Sequence, residues 1–354
     1  MSKRSLVKGR AVLSRWLYLL FVVCLPLYAH QGDDAVHLYN WEAFLAPIVI
    51  EKLRQDHQIS IEQIYFSDES VRDELLLSER GKTIDIVVVE SVRLQTLGQL
   101  GVVRPIPELR QKLSGRFEHK WMEACGDFGI PYAWGTSGIL YRRDKFSKPV
   151  DSWETLLKPN KGLDGKVSMY YHPIDLVGVA LLSSNKSPFT DDEASLQQAH
   201  KLLQTQRSSL ASTDYILANV ATPSALETID IAFGYAGDHH VLNEAENKDV
   251  WEYVVPNEGT IVWLECLAIP AGSRFREQTT VALDYLTSPE VATLNAQSAW
   301  FSTPNANVEA LLSREYREDP AISPASNLIE KSFLYTPVSD NGLLIRQRIV
   351  EDLR

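Results

Sequence analysis

Two short segments of the sequence place a tryptophan close to a carboxylate. Trp41 precedes an acid within the segment LYNWE, and Trp263 lies two residues before Glu265. Tyr235 and Asp238 repeat the combination of an aromatic ring and an acid. An aromatic face attracts a cation, and a carboxylate pairs with its charge. Three such pairs at distant positions indicate one folded site for an ammonium group, although ordinary buried aromatics and surface acids give the same pattern.

The segment 1–29 has the features of an export signal. It carries several basic residues and no acid, and its apolar run from Trp16 to Leu27 includes Cys24. This run is shorter than the ~20 residues of a membrane-spanning helix, which makes an uncleaved membrane anchor the weaker alternative. The small Ala29 suits cleavage before His30. The sequence therefore predicts a periplasmic protein from which the segment 1–29 has been removed.

Composition limits the classes of partner. The whole chain has a formal net charge of −11, and the segment 1–29 contributes only positive charge, so the mature chain is more acidic still. This acidic balance argues against a nucleic-acid partner and is compatible with a cationic ligand or simply with solubility. The mature chain is also longer than one comfortable hydrophobic core allows, so two lobes are expected.

The remaining cysteines and the paired histidines do not have the spacing of a metal site. Cys125 and Cys266 each stand alone, and they either form a disulfide or remain two buried thiols. His239 and His240 follow a Gly-Asp turn, and we interpret them as surface or site-lining residues. The sequence therefore predicts neither a metal nor a cofactor.

Hydrophobic patterns indicate an α/β fold. Strand and helix patterns alternate over residues 36–100, which predicts a largely parallel sheet covered by helices. A second alternating region follows, and long extended stretches at 129–141 and 261–270 bracket it. This order is expected if the chain crosses from a first lobe to a second lobe through one extended stretch and crosses back through the other. Two crossing strands would then form a hinge, with a ligand cleft between the lobes.

Seven segments spread in order along the chain resemble the periplasmic polyamine-binding proteins, the spermidine/putrescine receptors of bacterial uptake systems, including members similar to norspermidine sensors. The segments are LYNWEAFLAP (38–47), DIVVVESVRL (85–94), IPYAWGTSGILYRRD (130–144), FGYAGD (233–238), EGTIVWLECLAIP (258–270), LTSPEVA (286–292) and STPNANVEA (302–310).

The resemblance implies a type II periplasmic binding protein fold with two lobes and two crossover hinge strands. We expect lobe 1 at residues 33–141 and 266–303, and lobe 2 at 144–263 and 306–354. The family's aromatic residues stack along the methylene chain of a polyamine, and its carboxylates receive the amino groups. The corresponding positions here, together with Asp238, are Trp41, Phe44, Ser91, Asp175, Tyr235, Trp263, Glu265 and Phe301.

General physics supports these roles. An unpaired buried charge costs several kcal/mol, so each ammonium group needs a carboxylate. Flat apolar walls suit the methylenes, and each buried CH₂ contributes roughly 0.8 kcal/mol. Glu265 is the most convincing acid, because it interrupts the apolar run from Ile261 to Ile269.

Three candidate ligand-binding residues depart from the family's pattern. His172 stands where the family usually has an acid, Glu90 where proline is common, and Glu42 where a small hydroxyl residue is common. One or both of the glutamates could replace the lost acid, or they are solvated, since acids are mostly exposed. The changed layout leaves the identity of the polyamine open.

The resemblance is compatible with two biological roles. A monomeric periplasmic receptor would present a polyamine either to an ABC-type permease or to the periplasmic domain of a cyclic-di-GMP receptor, as biofilm-regulating sensors do. The changed acids slightly favour sensing. Binding of another small cationic ligand is the alternative. An enzyme is not expected, because no nucleophile accompanies His172 and Asp175 and GTSG is not a nucleophile elbow.

Overall fold

The computed structural model describes residues 35–66 and 68–354. The predicted export signal, its cleavage site and the alternative membrane anchor lie outside these residues. Within the described part of the chain, none of the helices is long and apolar enough to cross a bilayer.

The chain alternates between strands and helices from its first described residues. The first elements are β1 (Val36–Trp41), α1 (Pro47–His57), β2 (Ile61–Phe66), α2 (Glu69–Leu77), β3 (Ile86–Glu90), α3 (Ser91–Gln99), α4 (Pro107–Leu113), α5 (His119–Ala124) and β4 (Gly129–Arg142). The next are α6 (Trp153–Leu157), β5 (Val167–Ser168), α7 (Pro173–Leu182), α8 (Glu193–Gln206), β6 (Leu210–Ser212), α9 (Pro223–Leu226), β7 (Ile231–Tyr235), α10 (Asp238–Glu246) and β8 (Trp251–Val254). The last are β9 (Ile261–Ala268), α11 (Glu277–Leu286), α12 (Pro289–Ala299), α13 (Arg314–Glu318), α14 (Ser326–Ile329), β10 (Phe333–Leu334) and α15 (Asp340–Leu353).

The strands form a curled mixed sheet with the order β2-β1-β3-β9-β4-β7-β5-β6. β1, β2 and β3 are parallel, as the sequence predicts, and β5 is parallel to both β6 and β7. The two long extended stretches are β4 and β9, which pair with each other in antiparallel orientation at the centre. β10 pairs with β9, and β8 pairs with β4.

β4 and β9 contribute side chains to hydrophobic cores near both of their ends, which confirms the prediction of a two-lobed fold with two crossover strands. Ile130 and Leu267 pack in the core beneath α1 and α11. Further along the same two strands, Ile139 and Ile261 pack in the core beneath α7 and α8. The hinge is thus formed by strands whose side chains are buried in both lobes.

Cys125 and Cys266 form a disulfide with a Cα–Cα distance of 6.0 Å. This answers the question that the sequence left open. The bond joins the end of α5 to the central strand β9 across 141 residues of chain, and both cysteines are fully buried.

Candidate ligand-binding site

The first group of candidate site residues lies at the carboxyl ends of parallel strands. Trp41 ends β1, Phe66 ends β2 and Glu90 ends β3. Trp41 and Phe66 are partners in the register of their strands, and their ring centroids are 4.3 Å apart. Ligands of α/β proteins commonly bind at this edge of the sheet, because the loops there converge.

Glu265 joins this group from β9. The Trp41 indole Nε1 donates a hydrogen bond of 3.1 Å to Glu265 Oε1. The other carboxylate oxygen, Oε2, is buried and has no hydrogen-bond partner among the described residues. An unsatisfied buried carboxylate oxygen is costly, so this atom is available to accept a ligand's donor.

The pKa of Glu265 is raised to about 8, chiefly by desolvation; Arg72 and the Trp41 hydrogen bond lower it, and the charges of Glu69 and Glu90 raise it. Arg72 is fully buried on α2, and its guanidinium is ion-paired with Asp73 at 2.9 Å and donates a hydrogen bond of 3.0 Å from Nε to the same carboxylate. Its Nη1 and Nη2 atoms have no hydrogen-bond partner among the described residues. A cation arriving at Glu265 would favour the ionised carboxylate.

Glu90 is half-buried and caps the start of α3. Its carboxylate accepts hydrogen bonds from the Ser91 hydroxyl and from the backbone N–H groups of Val92 and Arg93, at 2.7 to 3.1 Å. Desolvation raises the pKa of Glu90 to about 7 in spite of these bonds. Glu90 therefore has a structural role that its sequence position did not reveal, and its carboxylate is prone to carry a proton near neutral pH.

Three aromatic rings form a wall, and one of them, Trp263, lies two residues before Glu265 on β9. The Phe44 centroid lies 6.3 Å from that of Trp263 and 5.5 Å from that of Phe301. Trp263 is the register partner of Gly135 on β4. A side chain at Gly135 would meet the indole, because a Cβ there would lie 2.4 Å from Trp263 Cζ2. The Trp263 Nε1 is buried without a hydrogen-bond partner in the described part of the chain.

A second group surrounds the start of α7. His172 Nδ1 lies 2.8 Å from Asp175 Oδ2, and the Tyr235 hydroxyl donates to the same oxygen at 2.9 Å. Burial opposes protonation of His172, but the carboxylates of Asp175, Glu69 and Asp68 outweigh it and raise the pKa of His172. The His172 imidazole therefore lies against Asp175, and this contact competes with an arriving ammonium group.

Asp238 extends this group at the start of α10. Its carboxylate accepts hydrogen bonds of 2.7 Å from the Tyr215 hydroxyl and from the Tyr235 backbone N–H. Burial raises the pKa of Asp238 to about 7, against these two bonds. Asp238 and Asp175 are thus both bound to Tyr235, one through its backbone and the other through its hydroxyl.

Electrostatic interactions link the two groups. Burial raises the pKa of Tyr170, and the carboxylates of Asp175, Asp68 and Glu69 raise it further. Asp68 and Glu69, at the start of α2, also raise the pKa of His172. The pKa of Tyr335 is raised by burial and then by Glu90 from the first group and Asp175 from the second. Acids of both groups therefore act on the same side chain, that of Tyr335.

Most of the ligand-binding residues predicted from the sequence lie in the group around Glu265 or in the group around the start of α7. Glu42 lies in neither group. Glu42 is exposed, and none of the contacts among the described residues joins it to either group. The sequence reasoning missed four neighbours of the site, which are Phe66, Arg72, Tyr170 and Tyr215. The sequence could have indicated Phe66 as a site residue, because it ends the strand that follows the strand of Trp41. Arg72 and Tyr215 resemble ordinary helix and loop residues in sequence.

The profile of the bacterial extracellular solute-binding proteins matches residues 49–324, and the chain belongs to this family. This is a family of binding proteins and not of enzymes. Among its relatives is the norspermidine sensor of Vibrio cholerae, 28% identical over 337 residues, which cover 95% of this chain and 92% of the sensor. The putrescine-binding periplasmic protein SpuD of Pseudomonas aeruginosa is 29% identical over 329 residues, covering 87% and 88% of the two chains.

Solved structures agree on the fold. A putative spermidine/putrescine ABC transporter protein from Listeria monocytogenes is 21% identical, with a TM-score of 0.77 over 91% of this chain and 99% of the other. The spermidine/putrescine substrate-binding protein PotD of Streptococcus pneumoniae gives a TM-score of 0.79 at 17% identity, over 91% and 98% of the chains.

Proposed function

We propose that this protein binds a polyamine of the spermidine, norspermidine and putrescine class between its two lobes, and presents it to a membrane partner. The observation that carries the proposal is the Oε2 atom of Glu265, a buried carboxylate oxygen without a partner among the described residues, beside the Trp41 indole. An ammonium group would supply both the missing hydrogen bond and the missing charge. The names of the norspermidine sensor and of SpuD support the same ligand class.

The two groups of side chains suit a ligand with separated charges. Glu265 would receive one amino group, and Asp175 and Asp238 would receive another beside Tyr235. Between the acids, the rings of Trp41, Trp263 and other aromatics offer flat apolar surface to the methylenes. Acids at both ends of an aromatic channel would select ligand length, since a mismatched chain leaves a buried carboxylate unpaired.

Titration calorimetry against putrescine, spermidine, norspermidine and spermine tests the proposal. We expect one molecule bound per chain for at least one of these ligands, together with a higher melting temperature. Neutral diols of matched length serve as controls, because they lack the charges that Glu265 and Asp175 would pair. An absence of heat and of thermal stabilisation with all four polyamines would overturn the polyamine proposal and favour another small cationic solute.

For the cellular role we propose sensing through the periplasmic domain of a cyclic-di-GMP receptor, as in biofilm signalling. Two observations support it over delivery to an ABC permease. His172 lies 2.8 Å from Asp175, at a position where the family usually has an acid, which changes the acid layout of the site, and the norspermidine sensor matches over 95% of this chain. Capture of membrane proteins on the immobilised chain, with and without ligand, tests the role. Recovery of permease subunits would contradict sensing.

We further propose that the protein is exported through the segment 1–29, cleaved near Ala29, and acts as a monomer in the periplasm. The proposal also includes the boundaries of lobe 1 at residues 33–141 and 266–303 and of lobe 2 at residues 144–263 and 306–354. Mass measurement of the secreted chain tests the cleavage, and light scattering tests the monomer.

A further inference from the structure

A cluster of two histidines and one acid lies beside the polyamine site and takes no part in it. His239 and His240 occupy the first turn of α10, and Asp319 follows α13 much later in the sequence. One ligand atom from each of the three side chains lies within 4.8 Å of the others. In the sequence the two histidines are a lone pair that predicts surface or site-lining residues, and Asp319 lies too far along the chain to indicate a shared site.

The distances resemble those of a metal site. Asp319 Oδ2 lies 2.8 Å from His240 Nε2 and 3.9 Å from His239 Nε2. Ligand atoms bound at 2.0–2.1 Å in a tetrahedral zinc site are roughly 3.3 Å apart. The shorter distance is a hydrogen bond between His240 and Asp319, which a bound ion would replace. The two observed distances each differ from the tetrahedral value by roughly half an ångström, so the ligand atoms would shift by about that much to surround one ion.

Neighbouring groups hold the cluster in place. The Trp300 ring stacks on His240 with a centroid distance of 3.7 Å. The other oxygen of Asp319 accepts the Ala321 backbone N–H at 2.8 Å, which fixes the carboxylate and leaves Oδ2 directed at the histidines. A metal ligand positioned in this way needs little reorganisation on binding.

The backbone that carries the two histidines is fixed as well. Gly237 has a φ of +97°, and a Cβ there would lie 2.4 Å from the Trp300 carbonyl oxygen. Consecutive residues on a helix point about 100° apart, because a turn has 3.6 residues. Nevertheless, the His239 and His240 ring centroids are only 3.9 Å apart. The Nδ1 atom of His239 is buried and has no hydrogen-bond partner within the described residues.

We propose that His239, His240 and Asp319 bind a divalent transition metal ion of the zinc class, with water completing the coordination. Two imidazoles and one carboxylate favour Zn²⁺, Co²⁺ or Ni²⁺ over Ca²⁺ and Mg²⁺, which prefer oxygen ligands. The ion would tie the start of α10 to the segment after α13. This inference does not depend on the polyamine, because none of the three side chains belongs to the proposed polyamine site.

The experiment titrates the chelator-treated full chain, without polyamine, with Zn²⁺ and separately with Ca²⁺ and Mg²⁺. We expect one Zn²⁺ per chain and no binding of the other two ions at the same concentrations. Asp319→Asn keeps the shape of the side chain, and His240→Ala removes one imidazole. Each should weaken Zn²⁺ binding by at least about 10–100-fold, the loss typical of disturbing even the outer shell of a metal site.

His200→Ala is the matched control, because His200 also contacts an acid, Asp352, at 2.9 Å. It should leave the affinity for Zn²⁺ unchanged. The visible spectrum of the Co²⁺ complex gives a second measurement, whose bands should be lost in Asp319→Asn. Circular dichroism of the metal-free variants reports their folding. Unchanged Zn²⁺ affinity in folded Asp319→Asn or His240→Ala, or equal binding of Ca²⁺, would overturn the proposal.

Discussion

Glu90 and Glu265 are directly opposite each other in the antiparallel pair of β3 and β9. Residues opposite each other in a pair of strands project to the same face of the sheet, so two like charges there repel each other. The pKa of Glu265 is raised to about 8 and that of Glu90 to about 7, in each case chiefly by desolvation. The pair therefore favours a protonated state without a cation and an ionised state with one.

The first prediction concerns proton release on ligand binding. At pH 7 a carboxyl group with a pKa of about 8 is mostly protonated, and an ammonium group at Glu265 would displace that proton. We expect polyamine binding to release protons at pH 7 and to strengthen as the pH rises from 6 to 8. Calorimetry in buffers of different ionisation enthalpy measures the number of protons. Besides Glu90, the charged groups that act on Glu265 are Arg72 and Glu69 on α2.

The stability of the ligand-free protein should change with pH in the direction opposite to the polyamine affinity. The folded-state pKa of Glu265 lies above its ordinary value of 4.5, so the folded state binds the proton more tightly than the unfolded state. The free energy of unfolding should therefore fall as the pH rises from about 4.5 to about 8, by an amount on the order of a few kcal/mol. Urea unfolding of Glu265→Gln, which does not titrate, should show a flatter profile. An equally steep profile in this variant would contradict the assignment.

The second prediction concerns the affinity contributed by Glu265. Glu265→Gln keeps the size of the side chain and removes the charge that would pair with an ammonium group. Binding of the preferred polyamine should weaken by about 2–5 kcal/mol, the usual effect of truncating a buried charge pair. Glu42→Gln is the matched control, because Glu42 is exposed beside Trp41. Titration calorimetry measures the polyamine affinity of both variants. Equal losses of affinity would show that only the net charge of the protein matters for binding.

The third prediction concerns the disulfide between Cys125 and Cys266. The bond joins positions separated by 141 residues, and removing a native disulfide typically costs about 2–5 kcal/mol. Reducing the wild-type protein should lower the midpoint of urea unfolding accordingly. The double variant Cys125→Ala/Cys266→Ala should unfold at the same midpoint with and without reductant. Identical midpoints for oxidised and reduced wild type would show that the bond does not stabilise the fold.

The sequence predicted the fold better than the contacts of the site. β-branched runs and helical spacing located most elements of the first lobe, because their hydrophobic patterns have clear periods. The pattern did not reveal that Glu90 caps α3, since capping depends on where β3 ends. Nor could it pair His239 and His240 with Asp319, because that contact depends on how α10 and α13 pack. Local patterns predict elements, whereas contacts between distant residues require the folded chain.

The fourth prediction concerns the glycine beneath Trp263. Because a Cβ at Gly135 would lie 2.4 Å from the indole, Gly135→Ala should displace the Trp263 ring. Polyamine affinity should fall by at least about tenfold, since cation–π contacts in desolvated sites contribute roughly 2 kcal/mol. Gly115→Ala is the matched control, because a Cβ there would have no atom within 4 Å. Tryptophan fluorescence and titration calorimetry measure the displacement and the affinity. Wild-type affinity in Gly135→Ala would mean that the position of Trp263 does not determine binding, and the aromatic wall would then lose its role in the proposed site.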